Sequence, residues 1–265
     1  MAAVTFDTPM PFAPANGTEL YYESHGGGSQ TIVLAHGRSG SHLVWWKQVP
    51  SLSKRYRVIT FDHRGFGLSK DPKGEFRRAF ADDLARLLDH LKIDSAYLVG
   101  QSMGGWTCLA YAVSHPERVA GLVMADSSGG LAEPEVLSEY RRKGQPPSDP
   151  AERALGPVFR QRDADGTFLY RQIGGLNPPP PEPLMDLLLS SEGPKKADVQ
   201  RLTCKTLFVV GEHDPVVTPD IARLTARFFS NAEVREVPGA GHSVYFERPE
   251  VFNKLLTDFV EETKK

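Results

Sequence analysis

Five residues, Gly100-Gln101-Ser102-Met103-Gly104, have the spacing that makes a serine hydroxyl into a nucleophile. An apolar run, Ala96 to Val99, reads as a buried strand leading into them. Trp106 to Val113 reads as the helix that follows, stopping near His115-Pro116. A serine on so sharp a strand-to-helix turn is lifted clear of both elements. Gly100 and Gly104 lack a Cβ, so strand and helix can close around the turn. The Met103 amide then falls in the first helical turn, where N–H groups have no internal partner and can receive a developing oxyanion. The chemistry expected is acyl transfer through Ser102.

Near neutral pH a serine hydroxyl needs a base, and the base needs a carboxylate to orient it. Of eight histidines, His242 is the best placed: Gly239-Ala240-Gly241-His242 is a flexible loop between a strand and the last helix. Two aspartates compete for the acid, each just after a strand: Asp126, and Asp214 in Gly211-Glu212-His213-Asp214-Pro215. Asp214 is preferred, because its loop is the usual acid position where the chain order is serine, acid, histidine. The other aspartate then becomes a loop or capping residue. Asp62, Asp220 and Asp258 read as structural. A second oxyanion donor is expected from the Arg38 backbone in His36-Gly37-Arg38-Ser39-Gly40, the loop after the first buried parallel strand. His36 reads as a residue that shapes this loop. The Arg38 side chain has two readings: a bidentate contact to a substrate carboxylate or polar group, or a solvated arginine at a lid margin.

These residues need strands that end on one side. Thr31–Ala35, Arg57–Phe61, Ala96–Val99, Val119–Ala125, Thr206–Val210 and Glu233–Val237 read as strands. Helical patterns at about 42–53, 76–91, 219–229 and 247–262 alternate with them. In the second of these, Phe80, Leu84, Leu87, Leu88 and Leu91 recur at helical spacing. Such alternation predicts an α/β fold with a mostly parallel sheet of eight strands flanked by helices. Near the start, an Asn16-Gly17 turn leads into Thr18–Ser24, which is expected to pair with residues near Val4–Phe6. The alternation breaks from about 127 to 200, where short helical pieces and many prolines occur without a clear strand. Asn177 to Pro183 is nearly all proline, which excludes helix and central strand. The chain therefore divides into a core, 1–128 and 200–265, and a small helical cap, 129–199, inserted after the sixth strand. An excursion placed where strands end reads as a lid. Phe159 and Leu184 in the lid, with Trp106 beneath, are candidate substrate contacts, although a lid also needs its own core and large aromatics also serve packing.

Composition excludes several classes. A net charge of −2 provides no broad basic field for nucleic acid or an anionic membrane. The balance of 40% hydrophobic and 24% charged residues is that of a globular chain. Cys108 and Cys204 lie far apart without metal spacing, and Cys108 reads as a small buried hydrophobe. There is no His-Glu-x-x-His, and Gly65-x-Gly67 lacks the third glycine of a dinucleotide fingerprint. No metal and no cofactor are expected. No apolar run approaches the ~20 residues of a membrane span, and Met1 to Phe12 lacks a secretory signal. The expectation is a cytoplasmic monomer or homodimer acting on a small molecule.

Taken together, these pieces resemble the α/β-hydrolase superfamily. The matching segments are His36-Gly37-Arg38, Phe61-Asp62-His63-Arg64-Gly65-Phe66-Gly67-Leu68-Ser69, Gly100-Gln101-Ser102-Met103-Gly104-Gly105, Gly211-Glu212-His213-Asp214-Pro215 and Gly239-Ala240-Gly241-His242. Within the superfamily the chain is similar to small capped serine esterases, to enol-lactonases such as 3-oxoadipate enol-lactonase, and to related C–C bond hydrolases. The resemblance implies a Ser102, Asp214 and His242 triad, with the Met103 and Arg38 amides as oxyanion hole, acting on a small carboxylic ester or lactone. Ser102 separates the chain from the haloalkane dehalogenase and epoxide hydrolase branches, which place an aspartate at the turn. Gln101 and Arg38 depart from the pattern: C–C hydrolases often have asparagine before the serine, and an apolar residue commonly follows His-Gly. Three other outcomes use the same fold: C–C bond hydrolysis, perhydrolase or cofactor-free oxygenase chemistry, and a ligand receptor without turnover.

Overall fold

The central strands of this chain carry near-continuous apolar runs because both faces of their sheet are covered. The computed structural model describes residues 11–38, 40–179 and 181–264. Its strands are β1 (Phe12–Ala15), β2 (Thr18–His25), β3 (Thr31–Ala35), β4 (Arg57–Phe61), β5 (Ala96–Gln101), β6 (Val119–Ala125), β7 (Thr206–Gly211) and β8 (Ala232–Val237). They form one sheet in the order β1-β2-β4-β3-β5-β6-β7-β8. β1 pairs antiparallel with β2, and β2 with β4. The remaining neighbours are parallel.

Alternation along each strand feeds two cores. Val33, Leu98, Leu122, Met124 and Phe208 enter one. Ile32, Leu34, Val99, Val123 and Val209 enter the other. The helices are α1 (Val49–Leu52), α2 (Phe80–His90) and α3 (Met103–Ser114), then α4 (Pro134–Lys143), α5 (Pro150–Ala154), α6 (Pro157–Arg162), α7 (Ala164–Gly175), α8 (Leu184–Leu188) and α9 (Lys196–Val199) between β6 and β7, and finally α10 (Pro219–Ala226), α11 (Val244–Glu247) and α12 (Pro249–Thr263). α2, α3 and α10 cover the first core, through residues such as Leu84, Leu109 and Ile221. α1 and α12 cover the second, through Leu52, Phe252 and Phe259.

This topology places the site. From β3 the chain continues to β4 on one side and then crosses to β5 on the other. The loops leaving β3 and β5 therefore diverge, opening a crevice at the carboxyl ends of the strands. Because β3 and β5 to β8 are parallel, the residues that follow them all emerge along that same edge: Arg38, Ser102, Asp126, Asp214 and His242.

One expectation falls partly outside the described residues, and two need correction. The hairpin partner of β2 is Phe12–Ala15, joined through Asn16 at φ 26° and Gly17 at φ 79°. A two-residue turn of this kind suits a tight hairpin; the expected partner, Val4–Phe6, lies outside the described residues. The helix expected over 42–53 is a 3₁₀ turn, His42–Trp45, followed separately by α1. Here Asp62 accepts the His42 N–H at 2.6 Å, and Pro50 has no N–H with which to extend a longer helix. The last helix starts at Pro249 rather than at 247: Arg248, at φ −131° and ψ 56°, is steered out of the helical region by the proline that follows it.

Close approach at the Ser102 turn depends on two glycines. A Cβ on Gly100 would lie 2.4 Å from the Gly105 backbone, and one on Gly104 would lie 2.1 Å from the Ala35 carbonyl oxygen. Gly104→Ala is expected to destabilise the protein by about 3 kcal/mol, whereas Gly27→Ala, with nothing within 4 Å of the added carbon, changes little. Urea unfolding of both variants checks this. Equal midpoints would show that the turn is not closed as described.

Candidate active site

Ser102 sits between β5 and α3 with φ 50° and ψ −115°. For a residue with a Cβ this region costs about 1–3 kcal/mol, so the surroundings must hold it. The Ser102 N–H donates to the Ala125 carbonyl at 2.9 Å. Its own carbonyl accepts from the Gly105 N–H at 3.0 Å and from Ser127 Oγ at 2.7 Å. Ser127 Oγ in turn accepts the Gly129 N–H at 3.0 Å. The strained turn is thus tied to β6 and to the loop after it.

His242 Nε2 lies 2.9 Å from Ser102 Oγ, and His242 Nδ1 lies 2.7 Å from Asp214 Oδ2. Asp214 Oδ1 accepts the N–H groups of Val216 at 2.7 Å and Val217 at 2.9 Å. One carboxylate oxygen is therefore pinned by backbone and the other is presented to the imidazole. With Nδ1–H donated to Asp214, the lone pair on Nε2 faces the serine O–H. Ser102, His242 and Asp214 come together although they are separated by 140 and 28 positions in the chain.

The competing aspartate has a different place. Asp126, at φ 48° and fully buried, accepts the Gly211 N–H on Oδ1 at 3.1 Å and the Val244 N–H on Oδ2 at 3.0 Å. It ties the end of β7 to the residues after His242, and its hydrogen bonds go to backbone rather than to the imidazole. Burial, reinforced by the Asp214 charge, pushes its carboxyl well above the ordinary carboxylate range. Gln101 Nε2 donates to the His242 carbonyl at 2.8 Å. A Cβ on Gly37 would lie 2.0 Å from Gln101 Oε1, so this glycine leaves room for the amide. His36, fully buried, donates Nδ1–H to the Gly37 carbonyl at 2.7 Å and accepts the His63 N–H on Nε2 at 3.0 Å. Burial lowers the pKa of both His36 and His63, which favours their neutral forms. His36 shapes its loop.

Ser102 and His242 open on a cavity of about 40 Å³, lined also by Arg38, Gln101, Arg153, Tyr170 and Leu184. Beside it, a hollow of about 20 Å³ brings Met103, Trp106, Leu187 and Val217 against Ser102 and Arg38. Leu184 and Trp106 are thus at the site. Phe159 lines neither hollow; its ring packs edge-on to Phe246 with centroids 6.0 Å apart. Sequence reasoning missed Arg153 and Glu247. Arg153 is an arginine in a short polar helix and carries no local signal. Glu247 accepts the Gly241 N–H on Oε1 and the Gly156 N–H on Oε2, both at 2.9 Å. It clamps the His242 loop to the segment entering α6. Among the described residues, no group of three or more His, Cys, Asp or Glu side chains is placed to hold a metal ion. Nor is any described helix long and apolar enough to cross a membrane.

A model of the alpha/beta hydrolase fold matches residues 30–249. The chain belongs to the α/β-hydrolase family. It is 28% identical to a thermophilic esterase from Thermogutta terrifontis, at a TM-score of 0.80, with 97% of this chain and 100% of that one covered. The enol-lactonase from Burkholderia xenovorans LB400 is 27% identical at a TM-score of 0.77, with 95% and 100% covered. The 2-hydroxymuconate semialdehyde hydrolase of Pseudomonas sp. (strain CF600) is 28% identical, with 94% of this α/β hydrolase and 97% of that protein aligned.

Burial raises the Glu247 carboxyl to about 7, against the pull of the backbone N–H donors. A carboxyl that holds its proton more tightly when folded stabilises the fold below its unfolded pKa and loses that contribution as pH rises through its folded pKa. Wild-type stability is therefore expected to lose up to about 3 kcal/mol from this group between roughly pH 4.5 and 7. Glu247→Gln should remove that part of the slope. Chemical unfolding of both proteins at pH 5 and 7.5 measures the difference. Parallel pH profiles would refute the assignment.

Proposed function

We propose that this α/β hydrolase is a serine hydrolase that cleaves a small carboxylic ester or lactone through an acyl-enzyme. The observation that carries this reading is the unbroken line from Asp214 through His242 to Ser102, at 2.7 and 2.9 Å. Both contacts are within the reach required of a base and its nucleophile.

In this mechanism Ser102 Oγ attacks the carbonyl carbon while His242 Nε2 takes its proton. Asp214 holds the imidazole in the required tautomer and stabilises the imidazolium that forms. The tetrahedral oxyanion is received by the amides of Met103, at the first turn of α3, and Arg38, in the loop after β3. The imidazolium then protonates the leaving alkoxide. Water, activated by the same imidazole, attacks the acyl-enzyme, releases the acid and restores the Ser102 hydroxyl. Leu184 and Trp106 supply an apolar wall, and the helices α4 to α9 act as the cap. The likeness to an esterase and an enol-lactonase supports this substrate class. A second reading, hydrolysis of a C–C bond on the same relay, is favoured by the likeness to 2-hydroxymuconate semialdehyde hydrolase.

A fluorophosphonate probe is expected to label Ser102 in the wild type and not in Ser102→Ala. On a panel of short esters, lactones and a C–C substrate, Asp214→Asn should lose about 10⁴-fold in kcat and Ser102→Ala about 10⁶-fold. Asp126→Asn should lose no more than about tenfold, along with some stability, because it alters a support of the backbone. Activity abolished by Asp126→Asn but retained by Asp214→Asn would reverse the acid assignment. Absence of labelling and of turnover would end the serine-hydrolase reading.

A further inference from the structure

Two arginines line the hollow at Ser102. Arg38, from the loop after β3, and Arg153, from α5, line the same cavity of about 40 Å³ with Ser102 and His242. Arg153 Nη1 donates to the carbonyls of Pro147 at 3.2 Å and Ser148 at 3.1 Å. Arg38 Nη2 donates to the Glu182 carbonyl, while Arg38 Nε is buried without a hydrogen-bond partner. Nearby carboxylates are already engaged: Glu182 pairs with Arg77 at 2.8 Å, and Glu152 with Arg160 at 3.5 Å. Among the described residues, neither Arg38 nor Arg153 forms an ion pair with a carboxylate.

Two like charges converging on a half-enclosed hollow are unfavourable unless an anion enters between them. The Arg38 guanidinium is pulled below its usual range first by desolvation and then by the Arg153 charge, against the opposing pull of Glu182. The neighbouring hollow of about 20 Å³, which shares Ser102 and Arg38 with the first, is lined by the apolar Trp106, Leu187 and Val217. Ser102 therefore has a cationic side, the hollow with the two arginines, and an apolar side, the hollow next to it. A planar carboxylate suits the cationic side, because guanidinium forks match its two oxygens and charge-assisted bonds of this kind are strong.

We propose that Arg38 and Arg153 form an anion subsite, and that the substrate is an ester or lactone carrying a free carboxylate a few bonds from the reacting carbonyl. This rests on the serine-hydrolase reading above and narrows it. The carboxylate can belong to the acyl part or to the alcohol part, and the test separates the two.

Matched esters differing only in this charge provide the experiment. Monomethyl succinate is compared with methyl levulinate for the acyl side, and O-acetylglycolate with acetoxyacetone for the alcohol side, by acid release at constant pH. In at least one pair the anionic ester is expected to have a kcat/KM about tenfold or more above its neutral partner. Arg153→Met should lower that ratio by about tenfold, Arg153→Lys should restore part of it, and Arg153→Glu should turn it below unity. The pair that shows the preference identifies which side carries the carboxylate. Reading the ratio cancels any general loss of activity in the variants. Binding to Ser102→Ala, measured by calorimetry, separates the two levels of the argument. If no ester is turned over but the anionic ester still binds about tenfold tighter, and Arg153→Met in that background abolishes the preference, the reaction class falls and the subsite stands. If neutral esters are hydrolysed and neither anionic partner is preferred, or if Arg153→Met and Arg38→Met both leave the ratio unchanged, the subsite falls and the serine-hydrolase reading stands.

Discussion

The 2.9 Å contact between His242 Nε2 and Ser102 Oγ joins two loops that share no local sequence, so it exists only if several backbones are held still together. On the serine side, an unfavourable φ of 50° is retained by hydrogen bonds from β6 and the Ser127 loop. On the histidine side there is no regular element to do the holding. The loop is restrained from three directions instead: Gln101 on its carbonyl, Asp126 just after it and Glu247 just before it. Net hydrogen bonds of this sort are each worth about 1 kcal/mol. Their value here is geometric, since a modest misplacement of reacting groups can cost orders of magnitude in rate.

These three restraints also join the parts of the molecule. Gln101 belongs to the strand that delivers Ser102, so the proposed nucleophile and base are braced by adjacent residues. Asp126 connects the ends of β6 and β7 to the turn after His242, keeping the Asp214 loop and the His242 loop in register. Glu247 reaches from α11 to Gly156, at the entry to α6. Any shift of the helices between β6 and β7 near α6 is thereby coupled to the backbone beside His242. Asp126 and Glu247 are both pushed upward in pKa by burial, so both carry an electrostatic cost for the position they hold. That cost is the physical mark of carboxyls kept for placement of backbone rather than for surface charge.

The hollow at Ser102 is small because the helices above it pack closely. Leu184 and Leu187 from α8 approach Trp106 on α3, while Tyr170 from α7 packs against Phe246 with centroids 5.1 Å apart. Phe159 joins the same aromatic group and so belongs to packing rather than to the cavity wall. The apolar residues of the helices between β6 and β7 thus divide between contacts with the core and a short stretch of wall beside Ser102. Periodicity alone does not separate these uses, because both require an apolar side chain on an inward face.

Much of this was legible in the sequence. Glycine spacing around Ser102 marked the turn, because only residues without a Cβ allow that approach. Strand runs and helical spacing gave β3 and β4 at their observed bounds, β5 to β8 within a residue or two, and a mostly parallel sheet, since local periodicity reflects which faces are buried. His242 and Asp214 were marked by loops that follow strands. What the chain order left open was decided by distance in space. Asp126 and Asp214 both follow parallel strands, and only their places in the folded molecule give one backbone partners and the other the imidazole. Arg153, Gln101 and Glu247 carry no pattern of their own, because a single long polar side chain is informative only once its neighbours are known. The meeting of Arg38 with Arg153 is of the same kind: two cations more than a hundred positions apart share one hollow only after the sheet edge and the inserted helices have folded over each other.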